Sequence, residues 1–229
     1  MNNITVAIPT YEMHDRGEEV LEYSFKILEK QVYKDFDIVI GDHSSDNKIR
    51  DLCRRSSKSL NIAYYRNEDK RGNPASNANF VISKSTGKLI KFLCQDDYLS
   101  GEYALYQIAE EFDNTNWLFS GYMHSRNRNE LEKYHLPSLN PHIFVVNTLG
   151  TPSAMTLRNV NPMPQMDENL YYAYDADFYY QFLQLYGIPK IIQEVTMINY
   201  LWENSITSRI TQEFIDKEHK YILDKLGLS

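Results

Sequence analysis

The sequence predicts an α/β fold, with a mainly parallel central sheet flanked by helices, built as one domain over residues 1–229. Two observations predict it. Short apolar, β-rich runs alternate with segments of helical periodicity through the first hundred residues, the pattern of βαβ units. The length suits one well-buried core, and no repeat, low-complexity tract or linker divides the chain.

Residues 4–9 form a β-rich run closed by Pro9, the form of a buried first strand. A helix follows over 17–32, where Leu21, Phe25, Leu28 and Val32 recur at helical spacing and should all face the sheet. Residues 36–41 read as the second strand, and Asp42 to Asn47 as turn-and-cap chemistry before a helix carrying Ile49, Leu52 and Cys53. A third strand is expected at 61–66, then a helix with Ala75, Ala78, Val81 and Ile82 inward, ended at Thr86-Gly87. A fourth strand, 88–94, runs into Gln95-Asp96-Asp97. The second half is less regular. Helices are expected at 102–112, 175–186 and 211–226, strands at 116–122, 153–158 and 190–200, and a long polar loop at 124–141.

Composition removes several functions. Asp+Glu at 31 against Lys+Arg at 24 gives a net charge of −7, the wrong sign for a nucleic-acid binder. The basic stretch from Arg50 to Lys58 reads as a solvated helix face. The 18 Tyr and 10 Phe read first as a compositional bias, and second as surface for polar ring-shaped ligands. Cys53 and Cys94 sit in apolar stretches without metal-type spacing, which suggests two buried thiols in a reducing compartment. With neither a leader-like start nor an apolar run near ~18 residues, a cytoplasmic location with at most peripheral membrane contact is expected.

Ligands of open α/β sheets bind at the carboxyl ends of parallel strands. Those ends carry Pro9-Thr10-Tyr11-Glu12, Asp42-His43-Ser44-Ser45-Asp46 and Gln95-Asp96-Asp97. None holds a glycine-rich phosphate loop, which argues against dinucleotide enzymes and P-loop hydrolases. A carboxylate-held Mg²⁺ or Mn²⁺ is the other device for gripping a diphosphate. Asp96-Asp97 suits it if the chain there is extended, since successive side chains would point to opposite sides. An Asp-Asp pair alone reads first as a solvated turn.

Taken in order, these segments resemble the family 2 glycosyltransferases of the GT-A fold, a Rossmann-like architecture whose members invert nucleotide-diphosphate sugars. Ala7-Ile8-Pro9-Thr10-Tyr11-Glu12 is similar to the family's opening strand and nucleotide-contacting turn, and residues 37–46 to its second strand and acidic turn. Asn77-Ala78-Asn79 and residues 85–97 are similar to its asparagine-bearing helix, Gly turn and metal motif. The resemblance implies that residues 1–100 bind a nucleotide-diphosphate sugar, with UDP favoured, and that 101–229 bind the acceptor and supply the general base. It implies Pro9, Thr10, Tyr11, Glu12 and Asn77 around the nucleotide, Asp42 on the imide N–H of uracil, and Arg71 as a cation near the base or phosphates. Asp96 would hold ribose or sugar, and Asp97 the divalent metal, Mn²⁺ or Mg²⁺.

Residues 166–178 match the family's base-bearing stretch, with Asp175 at the base position and Tyr174 where Glu is common. From the residues alone, Asp175 caps the helix and Asp177 complements its dipole. The two do not share a helix face, so one of them, Asp175 by preference, reaches the substrate. Glu12 replaces the usual Asn. Where a His ligand is common after the last strand, the chain reads Tyr200-Leu201-Trp202-Glu203, so Glu203 substitutes or that ligand is missing. Trp202 is either a sugar-stacking ring or core. The expected acceptor is a glycan or another hydroxyl compound, lipid-linked or protein-linked acceptors included, with specificity expected in 124–141. The competing readings are a catalytically silent sugar-nucleotide or glycan-binding domain and a sugar nucleotidyltransferase. The latter wants a Gly-rich basic loop after the first strand, which Pro9-Thr10-Tyr11-Glu12 does not provide.

Overall fold

A computed structural model describes residues 3–228. Four parallel strands build its first half: β1 (Ile4–Thr10), β2 (Phe36–Asp42), β3 (Ile62–Arg66) and β4 (Leu89–Phe92). β1 lies between β2, with Ile4 opposite Phe36 and Thr10 opposite Asp42, and β4, with Ile4 opposite Leu89. Their crossovers are α1 (Gly17–Glu29), α2 (Lys48–Ser56) and α3 (Pro74–Lys84). Period-two alternation divides β1 between two cores. Ile4, Val6 and Ile8 pack with Leu21, Phe25 and Leu28 of α1 and with Ile49, Leu52 and Cys53 of α2. Ala7 packs on the opposite face with Ala75, Ala78, Val81 and Ile82 of α3.

α1 stops at Glu29, short of the expected residue 32, and Val32 is 47% exposed rather than buried. The reason is Gln31. Its buried side chain donates to the Ile27 and Gly101 carbonyls and accepts from Leu105 N, so the chain leaves the helix to bridge towards the segment at 101–105.

The second half adds β5 (Tyr98–Leu99), α4 (Ala104–Glu111), β6 (Trp117–Ser125), β7 (Tyr134–His135) and β8 (Met155–Arg158), the last preceded by one 3₁₀ turn at Pro152–Ala154. α5 (Tyr174–Tyr186), β9 (Lys190–Tyr200), α6 (Ile206–Arg209) and α7 (Gln212–Leu226) complete it. The sheet order is β3-β2-β1-β4-β8-β6-β9-β5, with β7 on β6. β8 runs antiparallel between β4 and β6, and β9 is parallel to β6. β1, β2, β3, β4, β6 and β9 therefore share one direction, the mainly parallel sheet that the sequence predicts. No helix among the described residues is long and apolar enough to cross a membrane.

Candidate active site

β1 delivers Pro9, Thr10 and Tyr11 to the carboxyl edge of the sheet, where Gln95 holds them. Its amide accepts Tyr11 N at 2.8 Å and donates to Gly17 O at 2.9 Å. Gly17 must be glycine, because a Cβ there would stand 2.4 Å from the Tyr11 carbonyl. Thr10 Oγ1 donates to Gly41 O, and Asn77 Nδ2 donates to both Thr10 O and Gly41 O. Asn77 is thus a brace between β1, β2 and α3.

Asp96 and Asp97 do not lie in extended chain, which corrects the expectation of a pleat pointing them apart. Asp97 N bonds Cys94 O at 3.1 Å, so they occupy a turn, and their partners separate them instead. Asp96 Oδ2 accepts the Trp202 indole N–H at 3.0 Å. Asp97 Oδ1 accepts Asn199 Nδ2 and Tyr200 N, both at 2.9 Å, and its Oδ2 takes a long 3.4 Å contact from Thr151 Oγ1. Burial, and then the charge of Asp96, pushes the Asp97 carboxyl well above the usual carboxylate range; burial raises Asp96 as well. Two neighbouring carboxylates strained in this way gain from a cation, and each carboxylate oxygen has a second lone pair to offer. No group of three or more His, Cys, Asp or Glu among the described residues is placed to enclose one. Asp97 offers carboxylate oxygens of the kind a hard divalent ion prefers, and such an ion would take the rest of its shell from ligand oxygens.

A chamber of about 730 Å³ opens over this edge, lined by Pro9, Thr10, Tyr11, His43, Asn77, Asp96 and Asp97, and roofed by Trp202, Arg209 and Phe214. Asp42 and Arg71 do not line it. The Asp42 carboxylate is fully buried and engaged by Ser44 N at 2.8 Å, the Tyr64 hydroxyl at 2.7 Å and Arg66 at 3.5 Å, while His43 faces the chamber. Arg71 is exposed beside Glu68. Glu12 lies outside the lining and accepts from Ser45 Oγ. Glu203 is exposed and also outside it. Cys94, expected to be buried, is half-buried and lines the chamber.

A second chamber of about 360 Å³ adjoins the first, and Thr151, Tyr174, Asn199, Ile206 and Thr207 line both. Asp175 stands in its wall at the start of α5. Its Oδ1 accepts Ala176 N at 2.7 Å, its Oδ2 accepts Asn147 Nδ2 at 2.9 Å, and burial pushes the carboxyl up to about 7. Asp177 instead turns into the protein, 1% exposed, and pairs with Lys225 at 2.9 Å. Val145, Asn147 and Gly150 line this chamber, just beyond the 124–141 loop expected to do so. Gly150 has φ +88°, and a Cβ there would meet the Tyr122 hydroxyl.

Several of these residues carry no sequence motif: Thr151, Asn199, Arg209, Asn147, Lys91 and Glu218. Lys91 is wholly buried, donates to the Ser153 carbonyl, and is pulled down to about 7 by burial. Glu218 of α7 accepts the N–H groups of Tyr171, Tyr172 and Ala173.

The model of the family described as glycosyl transferase family 2 matches residues 5–182. The chain belongs to this family. The chain is 27% identical over 100 residues to the GalNAc(5)-diNAcBac-PP-undecaprenol beta-1,3-glucosyltransferase of Campylobacter jejuni, a match covering 43% of this chain and 31% of that relative. Its fold is similar to that of S. aureus TarS in complex with UDP-GlcNAc, with a TM-score of 0.72 at 19% identity over 97% of this chain and 67% of the other. The mannosyltransferase PcManGT from Pyrobaculum calidifontis, in complex with GDP-Man and Mn²⁺, gives a TM-score of 0.64 at 14% identity over 89% of this chain and 58% of that one. The chain thus spans about a third of the curated relative and roughly three-fifths to two-thirds of these structures.

Proposed function

We propose that residues 1–229 form one inverting glycosyltransferase domain that moves a sugar from a UDP-sugar to a glycan hydroxyl. Residues 1–100 bind the nucleotide, and 101–229 supply the acceptor site and the general base. The observation that carries this reading is the meeting of two chambers at one wall, with Asp97 on one side and Asp175 on the other.

In the larger chamber Pro9, Thr10, Tyr11 and Asn77 frame the nucleoside, while Asp96 faces ribose or sugar. Asp97 would hold Mg²⁺ or Mn²⁺, which when bound supplies positive charge against the departing diphosphate. Arg209, which lines this chamber, takes over on the phosphates from Arg71, for which the resemblance implied a cation near the base or phosphates. In the smaller chamber Asp175 accepts the proton of the acceptor hydroxyl as that oxygen attacks the anomeric carbon from the side opposite the nucleotide. A carboxyl titrating near 7 is matched to that task. The curated relative's name specifies a lipid-linked glycan, so an acceptor of that kind, reached by peripheral membrane contact from the cytoplasm, falls within this reading. The two unpaired thiols accord with a reducing compartment.

Titration calorimetry of UDP with and without Mn²⁺, on wild type and Asp97→Ala, tests it. Metal-dependent binding that disappears in the variant is expected. Failure of UDP to bind with metal present overturns the reading.

A further inference from the structure

At about 360 Å³ the smaller chamber lies near the lower end of the ~300–1,000 Å³ usual for small-molecule sites, room for a terminal sugar rather than a length of chain. Tyr122, Tyr172 and Tyr174 give it aromatic walls, and Asn147 and Thr207 add short polar groups, a combination that suits a ring bearing both C–H faces and hydroxyls.

Its electrostatics are one-sided. Asp175 stands in the wall, and the Glu218 carboxylate lies behind it on the amides of Tyr172 and Ala173. Among the described residues no lysine or arginine lines the chamber, and its one imidazole is His219, half-buried on α7. The cations nearby are committed elsewhere: Lys225 pairs with Asp167 and Asp177, and Arg209 faces the larger chamber. A phosphate or carboxylate entering here would shed water beside a like charge and find no counter-charge.

We propose that the smaller chamber is a subsite for one neutral sugar residue, whose hydroxyl is the acceptor, and that it rejects phosphorylated and uronic-acid sugars. This rests on the transferase reading and narrows its acceptor class. The discrimination is electrostatic, set by Asp175 and Glu218, and it is open to inversion at His219, which lines the smaller chamber and not the larger one.

Saturation-transfer NMR on the full chain with UDP and Mg²⁺ tests it. The probes are the methyl glycosides of glucose, galactose, N-acetylglucosamine and N-acetylgalactosamine, each set against its 6-phosphate and 6-uronate. At least one neutral glycoside should bind about tenfold or more tightly than its charged counterparts. His219→Trp, which fills the chamber, should abolish that binding, and His219→Lys should shrink or reverse the preference. Charged forms binding as well as neutral ones would overturn the proposal, as would UDP binding with no glycoside binding at all. UDP failing to bind to wild type would reject the transferase reading instead, so the two failures are distinguishable.

Discussion

The carboxylate of Glu218 accepts the backbone N–H of Ala173 at 2.9 Å, two residues before Asp175. The same carboxylate takes Tyr171 N at 2.6 Å and Tyr172 N at 2.9 Å, so one buried side chain on α7 fixes the approach to α5. Hydrogen bonds to a charged acceptor are each worth about 1.5–3 kcal/mol, and losing the acceptor leaves the buried donors unpaired. Glu218→Ala is expected to lower kcat at least about tenfold with a smaller change in the Kd for UDP, because, of the three residues it holds, only Tyr171 lines the larger chamber, whereas Tyr172 and Ala173 line the smaller one beside Asp175. Glu218→Gln, which keeps an acceptor oxygen, should recover part of the loss. Steady-state kinetics beside UDP calorimetry checks both.

Lys225 is the other tie of α7, pairing with Asp177 at 2.9 Å and Asp167 at 2.8 Å. Lys225→Met leaves Asp177 buried without its cation. A loss of about 2–3 kcal/mol is expected, below the ~3–5 of a fully buried pair because the lysine is one-third exposed. Burial opposes ionisation of Asp167, but the Lys225 ammonium and Asn169 outweigh it and hold that carboxyl at about 2. Its stabilisation is therefore present above the ordinary carboxylate pKa and fades as pH falls towards 2. Urea titrations should show wild type and variant converging in acid.

Asp175, held near 7 by burial, must be deprotonated to accept a proton. The kcat/KM profile should rise with pH and level off above about 7. Asp175→Asn should lower kcat by roughly 10²–10⁴-fold. A folded pKa raised above its unfolded value means that charging the group costs stability as pH rises from about 4 to 7. Asp175→Asn should therefore be at least as stable as wild type at pH 8, with thermal melts giving the comparison. An inactive variant that is also strongly destabilised would point to a structural role.

Arg209 donates to Asn204 Oδ1 at 2.6 Å and faces the larger chamber from α6. If it meets the diphosphate, Arg209→Ala should weaken UDP at least about tenfold and leave uridine nearly unchanged. Equal losses for the two ligands would assign it to the nucleoside instead.

The parallel half was legible because each strand and helix carries its own periodicity, and β9 runs from Lys190 to Tyr200 as expected. Asp97 and Asp175 were legible because each sits at an element end with a family pattern around it. Asp42 matched the pattern too, yet its carboxylate is consumed by Ser44, Tyr64 and Arg66; the Ser44 bond is the local turn chemistry legible in the sequence, but the partners on β3 are not. Asn199 and Thr151 were missed for the same reason. They meet Asp97 only because β8 inserts antiparallel beside β4 and β9 crosses back along β6. Glu218 did leave a trace: it falls on the buried stripe of α7, one turn before Ile222, and an acid on an apolar stripe asks for buried donors.

The tie between α7 and α5 also sets an order of assembly. On a ribosome the four strands between Ile4 and Phe92 emerge first, and domains generally begin to fold from the N-terminal side. Glu218 and Lys225 emerge more than a hundred residues later. A nascent chain thus acquires the strand edge bearing Thr10 well before Asn199, Tyr200 and Trp202 arrive to hold Asp97 and Asp96, so the two carboxylates of the larger chamber are set late, within the same stretch of synthesis that fastens the segment bearing Asp175.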